Sequence, residues 1–548
     1  MNVSQIKKKV TTIIILLFVS IQGISSQDLE YLYGKVVDVE TGEPVIFANI
    51  HLKNRNMGVI SNFDGGFRIP LSYRLLGDIL VFSSMGYESE ERIIDEFLKD
   101  SIVIVKLHPA TFQLSEVDVS ASKVSKAELS PEEIVSKSIS LITSNYPIKP
   151  YSQIGYYRDY QKDKNEYINL NEAIIEVVDQ GFKAIDSTTS KVIIYDYLKN
   201  EDFRRDTFAL KPYDYNLREG GKVIDNAYLD SYGGNEFVIL NVHNAIRNYK
   251  ISSYSFIYIL ETDLLSEHSF KKIEDTFLDG VYLYTIEFTK KISNYTAIGK
   301  LYIDKNNFSI YKLEYVVYDN NSKNNLNIPD KNGSIKQIIF EVITEYRMKG
   351  NKMYLSFISL NNQFRVMVPP KFNVEFVDFN FNAERLEKEK VEYNGDSFVL
   401  TFNRDLNGIK TNNLWKKDIL FKGQSIKINR AVIIGNQMVL YPALNKVKFK
   451  KFFEEFNAEK ENFMRNLVEF NLPELRDIDD NKVGMWSTKY YNQFREYFIQ
   501  EHNLNPRFID SKLLMDKKKP IFENQSMSRP YDGKDYWMNT PFQNSVKY

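Results

Sequence analysis

The residues best suited to chemistry by type and spacing are the acids of Asp477-Ile478-Asp479-Asp480-Asn481. Oxygen ligands fall there at alternate positions, as in a calcium loop. Lys482 stands where such a loop needs glycine, however, and Thr488 where it needs a bidentate glutamate. The stretch is therefore read as a solvated turn. The five histidines, His51, His108, His243, His268 and His502, are widely spaced, with no His-Glu-x-x-His or His-x-x-Glu that would build a zinc site. Each reads as an ordinary core or surface residue. No Gly-x-Ser-x-Gly elbow or phosphate-binding glycine loop appears, and the absence of cysteine removes thiol catalysis and disulfides. A carboxylate pair for glycoside hydrolysis meets only in the fold, and 72 acidic residues leave that chemistry open. No catalytic, cofactor-binding or metal-binding residue is assigned, no cofactor is expected, and the pattern points away from an enzyme.

The elements that would position any site are read as mainly β. Aromatics make up 14% of 548 residues, with 36 Tyr and 37 Phe, which favours aromatic-rich strands over disorder. Lys plus Arg (71) nearly cancels Asp plus Glu (72), so no global field steers the chain to nucleic acid, and no nucleic-acid partner is expected. Lys7, Lys8 and Lys9 precede an apolar run from Val10 to Ile21 and then small residues. This is the order of a signal peptide, assigned to residues 1–26 and too short to span a bilayer. Without a cysteine for lipidation, the mature chain is expected in the periplasm or associated with the outer membrane.

Short strands follow at about ten-residue spacing: Tyr33 to Asp38, the alternation Ile46, Ala48, Ile50 and Leu52, then Ile79 to Phe82, Glu88 to Ile94 and Ile102 to Val105. One face of Ile46 to Lys53 is expected to pack, while Phe47, Asn49, His51 and Lys53 stay mostly wet. Asp64-Gly65-Gly66 supplies positive φ for a tight hairpin. The pattern predicts a β-sandwich.

These residues resemble the carboxypeptidase-regulatory-like domain, a transthyretin-like sandwich found at the start of TonB-dependent outer-membrane transporters of Gram-negative bacteria. Its landmarks occur in order as Gly34 to Asp38, Gly42-Glu43-Pro44, Ala48-Asn49-Ile50, Asp64 to Phe67, Ser83 to Tyr87 and Leu114-Ser115-Glu116-Val117. Ser61-Asn62 stands where the family shows Thr-Asp, a departure at a turn. The resemblance covers residues 30–120 and implies a non-catalytic accessory module, not a peptidase. In the transporters a plug and a barrel follow the module. Here Ser130-Pro131 opens a helical pattern that runs to about Ile142, and no plug is visible.

Residues 121–150 are read as a helical linker and residues 151–440 as a larger antiparallel β-domain. Val281 to Phe288, Gly299 to Asp304 and Phe308 to Tyr318 form a meander turning at Asp304 to Asn307, similar to the curved half-barrel of periplasmic lipoprotein carriers. The loop Asp319 to Asn325 reads as a solvated connector. Residues 441–548 are read as helical and extended. Phe449, Phe452, Phe453 and Phe456 recur at helical spacing among lysines, and a second helical pattern runs from Lys489 to His502. Phe542, Val546 and Tyr548 alternate up to the last residue, as in a membrane barrel's final strand.

Three functions fit. The favoured one is a non-catalytic binding or scaffold protein of the cell envelope, whose partner is an envelope protein or an apolar ligand, with peripheral association to the outer membrane. The alternatives are an exported hydrolase with a dispersed carboxylate site and an outer-membrane β-barrel protein with a periplasmic sandwich.

Overall fold

The computed structural model describes residues 31–53, 57–75, 77–97, 101–110, 128–163, 166–183, 190–211, 213, 222–224, 235–249, 267–292, 295–320, 337–380, 397–408, 419–421, 424–442, 468–470, 475–506, 510–528 and 536–542. The signal peptide, the segment Leu114 to Val117, the Phe449 to Phe456 pattern, Val546, Tyr548 and most of the Asp319 to Asn325 loop lie outside them.

Seven strands open the described chain: β1 (Tyr31–Asp38), β2 (Asn49–Leu52), β3 (Gly58–Ile60), β4 (Gly66–Pro70), β5 (Ile79–Ser83), β6 (Glu90–Ile93) and β7 (Ile102–Leu107). They form two sheets, ordered β4-β1-β7 and β3-β2-β5-β6. Between them Val36, Ile50, Phe67, Phe82, Phe97 and Val105 are buried in one core. Gly34 is required in β1 because a Cβ there would lie 2.3 Å from the Phe67 ring. Gly65 takes the expected positive φ, +74°, but the turn is not a hairpin: β3 and β4 on either side of it belong to different sheets. The Asp38 carboxylate accepts from the Glu40 and Thr41 amides, each at 2.8 Å, and from the Tyr87 hydroxyl at 2.9 Å. Those hydrogen bonds, Thr41's first, hold its carboxyl below the usual range. The alternation expected around β2 holds for Ala48, Ile50 and Leu52 but not at its start. Ile46 is exposed, and Phe47 takes φ +59°.

Helix α1 (Pro131–Ser140) starts as the sequence expects. The Ser130 hydroxyl accepts from the Glu133 amide while the Glu133 carboxylate accepts from the Ser130 amide, a complete capping box. A short α2 (Ile142–Asn145) follows. The chain then gives β8 (Tyr151–Asp163), β9 (Glu166–Asp179), β10 (Lys191–Lys199), β11 (Lys222–Val223), α3 (Glu236–Val242), β12 (His268–Lys272), β13 (Thr276–Leu278), β14 (Val281–Ile292), β15 (Tyr295–Asp304), β16 (Ile310–Asp319), β17 (Gln337–Lys349) and β18 (Lys352–Val368). After these come β19 (Val374–Asn380), β20 (Ser397–Phe402), β21 (Ile419–Phe421), β22 (Gln424–Ile426), β23 (Ile428–Ile434), β24 (Gln437–Pro442), β25 (Val468–Phe470) and β26 (Ser487–Asn503).

The large sheet runs β10-β9-β8-β26-β18-β17-β16-β15-β14-β12, with β11 paired to β18 and β13 to β14. The meander expected over residues 281–318 is β14-β15-β16, and Asp304 caps its turn by accepting from the Asn306 amide at 2.7 Å. Among the described residues the path ends at β10 and β12 without closing, so the integral-barrel alternative is not the architecture found. The chain divides into two compact units. One holds residues 1–206, 226–363 and 492–548; the other holds 207–225 and 364–491. In the second, the sheet β19-β20-β24-β23 covers a core of Phe372, Phe398, Leu400, Phe402 and Leu440.

The helix expected over Lys489 to His502 is instead the central strand β26. It sits between β8 and β18, and from Gln493 to Gln500 nearly every residue is buried. A strand covered on both faces need not alternate in polarity, so its aromatics at 490, 494, 497 and 498 imitate helical spacing. The polar members hide too, because Arg495 and Glu496 each meet an opposite charge inside the protein.

On one face of this strand, Arg495 holds Glu236 at the start of α3 and Asn362 of β18, each at 2.5 Å. Beside them Asp159 accepts from Tyr157 and Asn171, both at 2.9 Å. Burial, assisted by the Glu236 charge, pushes the Asp159 carboxyl up to about 7. The folded protein thus keeps this proton across a window in which the unfolded chain, with an ordinary carboxyl near about 4, releases it. The sign is that stability from this group falls as pH rises from about 4 to about 7 and is level outside that range. In urea melts, Asp159→Asn should therefore gain on the wild type as pH rises from 4 to 8, by at most about 4 kcal/mol. A difference independent of pH would show that the folded and unfolded Asp159 carboxyls titrate alike.

Residues 536–540 lie against both the sandwich and the large sheet. Trp537 is buried in the sandwich core, and its indole donates to the Arg68 carbonyl at 3.0 Å. The Asn539 side chain accepts from the Arg68 amide at 2.8 Å and donates to the Ile60 carbonyl at 2.7 Å. The free edge of β4 is thereby satisfied by side chains instead of a strand. Trp537→Ala should cost about 3–5 kcal/mol in chemical denaturation, the usual loss for a buried large aromatic. A change under about 1 kcal/mol would mean that the sandwich core closes without it.

Candidate functional site

In the first unit, a cavity of about 530 Å³ lies between the sandwich and the large sheet. Ile46, Phe47, Phe63 and Ser84 of the sandwich line one side, and residues of β14 to β18 and β26 line the other. The register places the floor in rows. Tyr302, Lys312, Glu345 and Phe357 lie across β15 to β18 in one row; Glu287, Lys300, Glu314, Ile343 and Ser359 across β14 to β18 in the next; and Ile298, Val316, Glu341 and Asn361 in a third. The other face of these strands carries Leu301, Leu313 and Val342 into the core. Strand alternation thus delivers Glu287, Lys300, Lys312, Glu314, Glu341 and Glu345 to the cavity side, while Lys290 of β14 lies on the buried face.

The first two rows form a ladder of alternating sign. The Lys312 ammonium lies 2.9 Å from Glu314 and 3.7 Å from Glu345. The Tyr302 hydroxyl donates to Glu314 at 2.7 Å, and Arg347 to Glu345 at 3.1 Å. Burial opposes ionisation of Glu314, but Lys312 and the two hydrogen bonds outweigh it and hold the carboxyl below its usual range. Burial likewise opposes the Lys312 charge, and Glu345 and Glu314 outweigh it and raise its pKa. Ion pairs of this kind hold their partners charged. A catalytic acid instead needs a carboxyl raised toward neutrality.

The roof is aromatic. Phe47, turned inward by its left-handed backbone, packs on Phe63 (5.4 Å between centroids) and Phe357 (4.9 Å). Phe63 meets Phe494 edge-on at 5.3 Å. Beside it, the fully buried Arg158 pairs with Glu496 at 2.5 Å, and the Tyr160 hydroxyl donates to the same carboxylate at 2.6 Å. The guanidinium also donates to the Asn62 side chain of the sandwich. The Asn62 departure at the turn is therefore the point where the module meets a buried arginine whose negative partner comes from β26.

The residues singled out by type and spacing lie elsewhere. Asp477 is fully buried, not solvated. Its carboxylate accepts from the Asp479 amide at 3.0 Å and the Asn481 amide at 2.7 Å, and it pairs with Arg404 at 3.0 Å. The oxygens a calcium ion would need are used to close the turn. The histidines do not converge, and no group of three metal-ligating side chains forms among the described residues. His243 is buried and His502 half-buried, and desolvation pushes them down to about 3 and about 4, so both are neutral at pH 7. Lys300 and Glu314 lay inside strands legible in the sequence. Counting back from the Asp304 to Asn307 turn is the signal that could have paired them.

Residues 32–119 match the family model described as CarboxypepD_reg-like domain. Over 75 residues the chain is 40% identical to the TonB-dependent receptor SusC of Bacteroides thetaiotaomicron, a stretch that covers 14% of this chain and 7% of that protein. No solved structure matches. The expected carboxypeptidase-regulatory-like domain is thus matched, and its two sheets are formed by strands between residues 31 and 107.

Glu496→Gln would leave the Arg158 charge buried without its counter-ion. The expected loss is about 3–5 kcal/mol of unfolding free energy, read by urea denaturation. A loss below about 1 kcal/mol would mean that Asn62 and the tyrosines suffice.

Proposed function

We propose that the chain is a non-catalytic binding or scaffold protein of the bacterial cell envelope. On this reading it is exported to the periplasm and associates peripherally with the outer membrane. The CarboxypepD_reg-like domain and the local likeness to a TonB-dependent receptor support the envelope setting. The observation that carries the binding role is the cavity, roofed by Phe47 and Phe63 of the sandwich and floored by the large sheet. Its size falls within the range of about 300–1,000 Å³ usual for ligand sites, and its lining mixes aromatic, aliphatic and charged groups. The occupant is an envelope partner's segment or a largely apolar ligand with a polar end. One observation favours a second reading, a hydrolase: Glu314 and Glu345 converge on Lys312. Against it stands the depressed Glu314 carboxyl, which resists acting as a general acid at neutral pH.

Cell fractionation and turnover assays test the proposal together. The chain should leave the membrane fraction with alkaline carbonate, and the purified protein should release no product from glycan, ester or peptide substrates. Hydrolysis abolished by Glu314→Gln or Glu345→Gln, with the fold retained, would make the protein an enzyme.

A further inference from the structure

Most of the floor's charge is balanced within the protein. Lys312 is shared by Glu314 and Glu345, Arg347 joins Glu345, and Lys300 stands in register between Glu287 and Glu314. At the rim, Glu496 is taken by Arg158 and Arg495 by Glu236. Glu341 differs. Its neighbour in register is the amide of Asn361, which donates to Oε2 at 2.7 Å, and no cation among the described residues pairs with it. On its other side the row continues with Val316 and the 41% exposed Ile298, and Ile343 lies in the adjoining row. Phe47, Phe63 and Phe494 supply aromatic surface to the same cavity.

We infer that Glu341 receives a primary ammonium group carried on a short apolar stem. This rests on the binding reading and specifies what the cavity takes. A carboxylate in a partly dry pocket is stabilised by a cation, and nearby ring faces favour the same charge. Val316, Ile298 and the aromatic roof suit a hydrocarbon stem, since taking methylenes out of water is favourable. Guanidinium is disfavoured. It binds carboxylates best through two parallel hydrogen bonds, and Asn361 already occupies one Glu341 oxygen. An ammonium is a point charge that needs only the remaining oxygen. Two sources offer this chemistry, a free alkylamine and a lysine side chain of a polypeptide.

Isothermal titration of the full mature chain separates the outcomes. Pentylammonium should bind at least about tenfold tighter than pentanol or pentylguanidinium, and its affinity should fall as salt rises. Glu341→Gln, which keeps the Asn361 contact, should abolish the preference for ammonium over alcohol while leaving the circular dichroism and melting temperature unchanged. Equal binding of ammonium and alcohol by the wild type, no binding of any probe, or an unaltered preference in Glu341→Gln overturns the inference. The wild-type comparison decides even if the variant fails to fold. Titration with acetyl-Phe-Lys-amide and acetyl-Phe-Gln-amide then assigns the source: a lysine peptide tighter than pentylammonium points to a polypeptide, the reverse to a small amine. Neither localisation nor turnover is read here, so a negative result removes the Glu341 role and leaves the envelope reading to its own test.

Discussion

The buried pair of Arg158 and Glu496 is the constraint on which the arrangement of the first unit turns. Two full charges leave water together, and such a pair seldom adds net stability over apolar residues of the same size. What it fixes is position. Arg158 and Glu496 lie directly opposite each other on β8 and β26, so a slip of one residue would move one of them to the other face and leave both uncompensated. The guanidinium's remaining hydrogen-bonding capacity goes to Asn62, which ties the turn of the sandwich to the same point. Tyr160 completes the carboxylate's shell. One ionic contact thereby sets the register of the central strands and the placement of the module on them.

Around that point the two layers are joined by contacts that differ in kind. Phe47 and Phe63 reach down from the sandwich to Phe357 and Phe494. Residues 536–540 reach up from the C-terminal side, placing Trp537 in the sandwich core and Asn539 on the β4 edge. Phe47 holds a backbone conformation that costs a non-glycine residue roughly 1 kcal/mol or more, and the ring contacts it gains are what hold it there. The cavity lies among these contacts, where the charged rows of the sheet face the aromatic underside of the sandwich. A polar floor under an apolar roof suits a ligand with one charged end better than a purely hydrocarbon one.

Much of the fold was legible because local signals carried it. The capping box at Ser130, the glycine turn at Gly65, the period-two strands of the sandwich and the meander turning at Asp304 each appear where the sequence placed them. The candidate site was barely legible. Glu287, Lys300, Glu314 and Glu341 are ordinary single residues on separate strands, and they become a ladder only when the strands pair. Asp477 misled in the opposite direction: its turn read as solvated, while the fold buries its carboxylate against backbone amides and Arg404.

The chain alone carried the sandwich, its landmarks and the predominance of strands, because turn chemistry and alternation act over a few residues. It could not place β26. A strand buried on both faces loses the alternation that marks strands, and its charges are disguised when partners from β8 and α3 neutralise them. Long-range pairing put a segment read as a C-terminal helix at the centre of the sheet. The same long-range pairing set Glu341 on the cavity wall beside the Asn361 amide, with no cation paired to it among the described residues, since charge compensation depends on neighbours in space and not in sequence.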